Sequence, residues 1–539
     1  MKNHTLPVLE FTATRGDRVR PTKLKLGFIL ALAVALAPAL HAELILPAII
    51  SDHMVLQRNQ ANPIWGWDAP GTKITVTFAG QTKSTQAGPD GKWAVKLDAV
   101  PANDMPQTLS VTGSVKKEIQ DVLVGEVWMC SGQSNMQFTL GGDWNGDLEA
   151  AASKYPNLRL IRVPLVGRQE LQNDFKGSWK ATTRETANNF SAVGFLFGRY
   201  LHTILRVPVG LIDNSWGGSA AEAWVRRESI EKDPRFKLLM ENTVKHEAEL
   251  TSEKAKAEHE ERMAKWKADA DAARAANKPV PGQPSSPQAW LTGNSRPGNI
   301  FAGVVHPTLG YGLKGVIWYQ GESNAGRAHE YADLFPFMIE QWRKEWNQGD
   351  FPFYWVQLAD FNPEKSTPGD STWAELRESQ TKTMKLPNTG QAVIIDIGEG
   401  RDIHPKNKHD VAARLVRWAL VKDYGMNFPY RSPEYKSMEV SGSKVTIQFD
   451  CFGSSLRPFD VNEAIGFAVC GEDKVWHWAK GKIQGGDKVE VSSDQVEKPI
   501  AVRYAWADNP VCNLASQAGL PVTPFRTDDF DMITKPKTP

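Results

Sequence analysis

An excess of charge of one sign is missing from this chain. Its 539 residues carry 63 Lys and Arg against 62 Asp and Glu, so no net field draws in nucleic acid or an anionic membrane surface. Cysteine is scarce. The four residues Cys130, Cys451, Cys470 and Cys512 include no CxxC pair, which argues against a zinc site of the finger type. Four cysteines in an oxidising compartment allow three pairings. Closeness along the chain makes Cys451 with Cys470 the expected bridge. Long apolar runs are also lacking, with one exception near the start. Arg15, Arg18, Arg20, Lys23 and Lys25 precede LGFILALAVALA (residues 26–37), and the small residues of PALHA follow. Basic, then apolar, then small is the layout of a signal peptide, and about 12 apolar residues fall short of a membrane span. Residues 1–42 are therefore expected to be removed on export to the periplasm or the extracellular space, leaving no stable membrane insertion. The competing reading of that segment is a membrane anchor.

What is present divides the rest into three parts. Residues 43–120 alternate apolar and polar side chains, as in ITVTF (74–78) and KWAVKL (92–97), with a Pro89-Asp90-Gly91 turn between strands. Short alternating strands with turn signals predict a small β-sandwich. From 121 to 432 short apolar runs replace the alternation: GEVWM, LRLIRV, VGLID, GVIWYQ, FYWVQL and AVIID. Runs without alternation fit strands buried on both faces of a parallel sheet, and the helix-like stretches between them give a βαβ series with helices on both sides. Residues 228–290 interrupt the series with a segment dense in Glu, Lys, Ala and Arg and poor in apolar stripe, expected to be a solvated helical insertion. KVTIQF, GFAVC, KVEVS and AVRYAWA then predict a C-terminal β domain over 433–539. Trp is frequent, at 19 residues; most of it belongs to cores, though stacking on sugar rings would also use it.

Four polar clusters follow the apolar runs: SGQSN (131–135), NSWGGSAAEAW (214–224), QGESN (320–324) and DIHPKNKHD (402–410). In parallel α/β sheets sites gather where strands end at their carboxyl side. Acyl transfer needs a hydroxyl, a base for its proton and donors for the oxyanion. The clusters supply serine, histidine, glycine amides and an asparagine amide. A single serine in a turn is ordinarily a turn former; the set of four is much more specific.

The blocks GEVWMCSGQSNM, DNSWGGSAAEAW, IWYQGESNAG and DIHPKNK resemble the SGNH hydrolase superfamily, and more narrowly the sialate O-acetylesterase family, which is similar to carbohydrate acetylesterases acting on plant polysaccharides. The resemblance runs from LPAIISDHMVLQR at residue 46 to the C-terminal β domain, apart from the charged insertion. It implies a flavodoxin-like three-layer α/β/α parallel sheet with flanking β-sandwich domains. It also implies a serine esterase that releases acetate from O-acetylated sugars, with no metal or other cofactor and an O-acetylated carbohydrate as its partner. Position by position, the nucleophile falls on Ser134, the base on His404 and the oxyanion donors on the Ser134 amide, Gly217 or Gly218, and Asn324. The superfamily places Asp three residues before the His, but position 401 is Arg. Asp402 is the nearest acid, with Glu399, Asp396 or a dyad assisted by a backbone carbonyl in place of an acid as alternatives, and His306 and His409 are the alternative bases. Gln133, Trp216, Glu322 and Arg327 are expected near the substrate, Arg327 as a cation for a sialate carboxylate and Glu322 more as a structural acid. Cys130 is expected to be a small buried residue, not a nucleophile. An esterase of other acyl specificity and a non-catalytic glycan-binding protein are the other readings.

Overall fold

The computed structural model describes residues 43–536; the expected signal segment, 1–42, lies outside the described residues. The chain opens with seven strands: β1 (Val55–Gln57), β2 (Asn62–Trp67), β3 (Lys73–Phe78), β4 (Gln81–Gln86), β5 (Lys92–Leu97), β6 (Asn103–Thr112) and β7 (Lys116–Gly132). The ribbon β2–β5 and the antiparallel set β4-β3-β6-β7 bury one side of each pleat, so that Ile64, Trp93, Val95, Ile74, Val76 and Leu109 share one core.

β7 is 17 residues long, and its two halves behave differently. In the first half, up to Asp121, only Ile119 is buried and the rest are exposed or half-buried. From Val122 onward every residue is buried, because there the strand lies in the middle of a second sheet with β8 (Tyr155–Arg162), β9 (Lys180–Thr182), β10 (Val209–Asp213), β11 (Gly315–Tyr319), β12 (Phe353–Val356) and β13 (Thr389–Ala392). The spatial order is β13-β12-β11-β7-β10-β8-β9. All neighbours pair in parallel except β9, which pairs antiparallel with β8. Sheets of this kind bury both faces. Val127, Met129, Val316, Trp318, Phe353 and Trp355 point into one core, while Trp128, Cys130, Ile317, Tyr319, Tyr354 and Val356 point into the other. Helix Ala328–Trp346 covers the first face, and helices Ala192–Leu205 and Lys408–Lys422 cover the second. The three layers match the sequence pattern. The order does not follow the flavodoxin-like 2-1-3-4-5 sequence, because β10 is inserted between β7 and β8.

The insertion is built on helices Lys237–Thr251 and Glu253–Ala275, whose residues are mostly exposed. It is fastened at its base by Glu247, which accepts from both Arg227 and Arg296. The C-terminal region forms a seven-stranded sheet from Glu434–Ser441 to Phe525–Arg526. Among the described residues no helix is long and apolar enough to cross a membrane.

The expected Cys451–Cys470 bridge is not formed, and all four cysteines are free. Cys470 ends the strand Ala464–Cys470, which lies three strands away from Lys444–Asp450, the strand that leads into Cys451. At roughly 4.8 Å per strand this separation exceeds what a disulfide spans.

Candidate active site

The carboxyl ends of β7, β10 and β11 are level. Gly132 pairs with Tyr319, and Cys130 with Asp213. Gly132 has φ +129, and a Cβ there would lie 2.2 Å from the Tyr319 carbonyl oxygen. Only glycine lets the two backbones pass this closely while the chain leaves the sheet. It turns directly into the short helix Ser134–Gln137, so Ser134 stands at the helix start, half-buried. Among the described residues the Ser134 N–H makes no backbone hydrogen bond, as expected of a first-turn donor.

Each neighbouring loop is tied to this turn. The Gln133 N–H donates to the Tyr319 carbonyl (2.8 Å) and the Trp216 N–H to the Gly132 carbonyl (2.9 Å). Gly217 comes next. A Cβ on it would lie 3.2 Å from the Ser134 Cβ, whereas Gly218, with φ +71, faces Asn294. Of the two glycines, then, Gly217 borders the serine. Its N–H donates to the Gln137 side-chain oxygen at 2.9 Å.

Asn324 is buried with a defined amide orientation. Its Oδ1 accepts from the Ala221 N–H (2.9 Å) and Gln320 Nε2 (2.7 Å), and its Nδ2 donates to Glu222 Oε2 (3.0 Å). One N–H of the amide is left over.

Asn135 joins the turn to the histidine loop. Its Nδ2 donates to the Ile403 carbonyl (2.9 Å) and to Glu322 Oε1 (2.7 Å), while its Oδ1 accepts from Lys408 Nζ (2.7 Å). His404, next to Ile403, is thereby brought to the rim of the same site. Burial pushes its imidazole below the ordinary histidine range, and the Lys408 charge adds to that, against Asp402. His404 is therefore neutral near pH 7. Among the described residues no hydrogen bond joins it to Ser134. Asp402 Oδ1 accepts from the His404 backbone N–H (2.9 Å) and stands 3.7 Å from Nδ1, which is beyond hydrogen-bond length. The rival acids are engaged elsewhere. Asp396 pairs with Arg414, and Glu399 accepts from the Lys406 N–H. The rival bases are engaged too. His409 lies between Asp143 (2.7 Å) and Glu149 (3.1 Å), which raise its pKa, and His306 Nδ1 donates to the Gln172 carbonyl.

Two expectations about substrate contacts need correction. Arg327 does not stand free for a sugar carboxylate: its guanidinium bridges Glu222 and Glu330. Gln133 is buried, and its side-chain oxygen accepts from the Gly321 and Ser323 N–H groups, so it ties two loops together. Glu322 is drawn into the Asn135 contact, and burial raises its pKa. Cys130 is buried, and burial lifts its thiol well above the usual range, consistent with an inert core residue. Glu222, Asn135 and Lys408 complete the site. All three stand inside the polar blocks, but nothing local in the sequence assigns them a task, since their partners lie far along the chain.

A parallel sheet with hydroxyl, imidazole, glycine and amide groups at its strand ends is the frame of a carboxylic ester hydrolase, and comparison with known proteins gives the same class. Residues 288–412 match the family described as carbohydrate esterase, sialic acid-specific acetylesterase. The chain is 30% identical to the sialate O-acetylesterase of Mus musculus over 86% of its own length and 89% of that protein. It is 30% identical to the human sialate O-acetylesterase over 88% and 91%. Among solved structures, a carbohydrate acetylesterase from Xanthomonas citri superposes with TM-score 0.76 at 37% identity, covering 90% of this chain and all of that one. The chain belongs to the sialate O-acetylesterase family.

Proposed function

We propose that this protein is an exported carbohydrate O-acetylesterase that works as a serine hydrolase. The observation that carries the reading is the placement of Ser134 beside Gly217, with Asn135 of the same turn bonded to the Ile403 carbonyl next to His404. Family membership supports the ester chemistry, and the names of the relatives support an acetylated sugar as substrate. Export rests on the residue pattern of segment 1–42.

Ser134 Oγ attacks the acetyl carbonyl while His404 Nε2 takes its proton. The neutral state of His404 suits it to that step. Asp402 lies on the Nδ1 side of the ring. It steadies the imidazolium as the contact shortens on substrate binding. The carbonyl oxygen becomes an oxyanion held by the Ser134 N–H, the Gly217 N–H and the remaining N–H of Asn324. To reach Gly217 it displaces the Gln137 side chain. The C–O bond to the sugar breaks, and the sugar oxygen leaves with the proton from His404. Water then attacks the acetyl-serine, His404 accepts its proton and returns it to Ser134, and acetate departs.

Replacing Ser134 with Ala is expected to abolish acetate release from acetylated sugars, with the thermal unfolding midpoint unchanged. Activity at the wild-type level would overturn the mechanism. A series of ethyl esters from acetate to hexanoate should show acetate preferred.

A further inference from the structure

Trp144 and Trp478 are the two tryptophans among the strongly exposed large apolar side chains, at 63% and 44%. Trp478 is tied down, since its indole N–H donates to the Ser366 carbonyl. Among the described residues the Trp144 indole makes no hydrogen bond and packs against no other aromatic ring. Its backbone is nevertheless tied to a neighbouring loop. The Trp144 N–H donates to the Lys406 carbonyl (3.4 Å). The preceding carboxylate, Asp143, accepts from the Lys408 N–H (2.9 Å) and meets His409 Nδ1 (2.7 Å). The residue that carries this exposed indole is thus tied through its backbone to Lys406, two residues after His404, and follows Ser134 by ten residues in the chain. Leu148, on the following helix Gly146–Ala152, is strongly exposed as well, at 66%.

We propose that Trp144 is the platform on which the sugar bearing the acetyl group stacks. The ring C–H groups of a pyranose carry slight positive charge and lie flat, and the indole face presents the complementary negative quadrupole and a large apolar area at low entropic cost. The acetyl group enters beside Ser134, so its sugar must emerge over the rim. The proposal rests on the carbohydrate esterase reading and adds a specificity residue to it.

The test compares the full chain with its Trp144→Ala and Trp144→Phe forms on glucose pentaacetate and on ethyl acetate, which has the same acyl group and no ring. For Trp144→Ala, kcat/KM on the sugar ester should fall about tenfold through KM, the size of a single lost aromatic contact. On ethyl acetate it should stay within about twofold, since no stacking contact is lost there. Trp144→Phe should recover most of the loss, and the melting temperature should not move. Equal losses on both esters, or no loss on the sugar ester, would overturn the platform. A wild-type enzyme that cleaves ethyl acetate but not the sugar ester would instead sink the carbohydrate reading itself.

Discussion

The charge state of His404 sets the expected pH behaviour. A general base works in its neutral form, so activity falls as pH drops through the pKa of His404. Burial has moved that pKa below the ordinary histidine value, and Asp402 is the one acid that pushes it back up. Asp402→Asn is therefore expected to shift the acid limb of the kcat/KM profile to lower pH while lowering its plateau. A limb that moves up or stays in place would remove Asp402 from the site. The placement of Ser134, Asn324 and the glycines in loops at neighbouring strand ends was legible in the sequence, because each sits in a polar block after an apolar run. The engagement of Arg327 was not legible. Its partner Glu222 lies 105 residues earlier, and no local pattern records that contact.

At the level of elements, the site depends on how the loops are fastened to one another. Asn135 makes three hydrogen bonds, one buried and two part-buried, that join the nucleophile turn, the QGESN loop and the histidine loop. Asn135→Ala strands the Lys408 ammonium and the Ile403 carbonyl. The expected cost is about 2–4 kcal/mol of stability, the penalty of buried polar groups left unpaired. A calorimetric melt would measure it. The loosened His404 should also lower kcat more than it changes KM. Unaltered kcat would mean that the knot does not position the base. Lys408 itself is fully buried, and burial lowers its pKa to about 7, with Glu322 foremost among the acids that oppose this. The strands were legible from unbroken apolar runs. Their order was not, since a run shows that both faces are covered and says nothing about which neighbour lies at each edge.

Across the whole molecule, Arg377 joins the α/β part to the C-terminal sheet. It is fully buried and donates to the carbonyls of Leu358 and Ala359 on one side and Ala507 and Asp508 on the other. Burial lowers its pKa to about 10, so it stays charged at neutral pH. Arg377→Met keeps much of the volume and removes every one of these bonds. The expected loss is about 2–4 kcal/mol, the penalty of buried carbonyl oxygens left without a donor. It would appear as a lower melting temperature, with the two parts unfolding in separate steps. A single unshifted transition would count against the staple. The change from alternating to unbroken strands and back was visible as a change of period along the chain, and strands of each kind stand in the structure where it falls. The Cys451–Cys470 guess failed for a related reason: sequence distance says little about distance across a sheet, where strands far apart in order can be close in number.

β7 begins among the solvent-facing strands of the N-terminal region and ends at Gly132, two residues from Ser134. One continuous rod therefore measures the distance from that region to the reactive oxygen. Side chains change face at every step along it, so adding or deleting one residue near 120 would either exchange the two cores of the central sheet or pull the nucleophile out of line with the glycine and the imidazole. The N-terminal β region works as a spacer of fixed length, and a homologous replacement could restore activity only with the residue count of that strand intact.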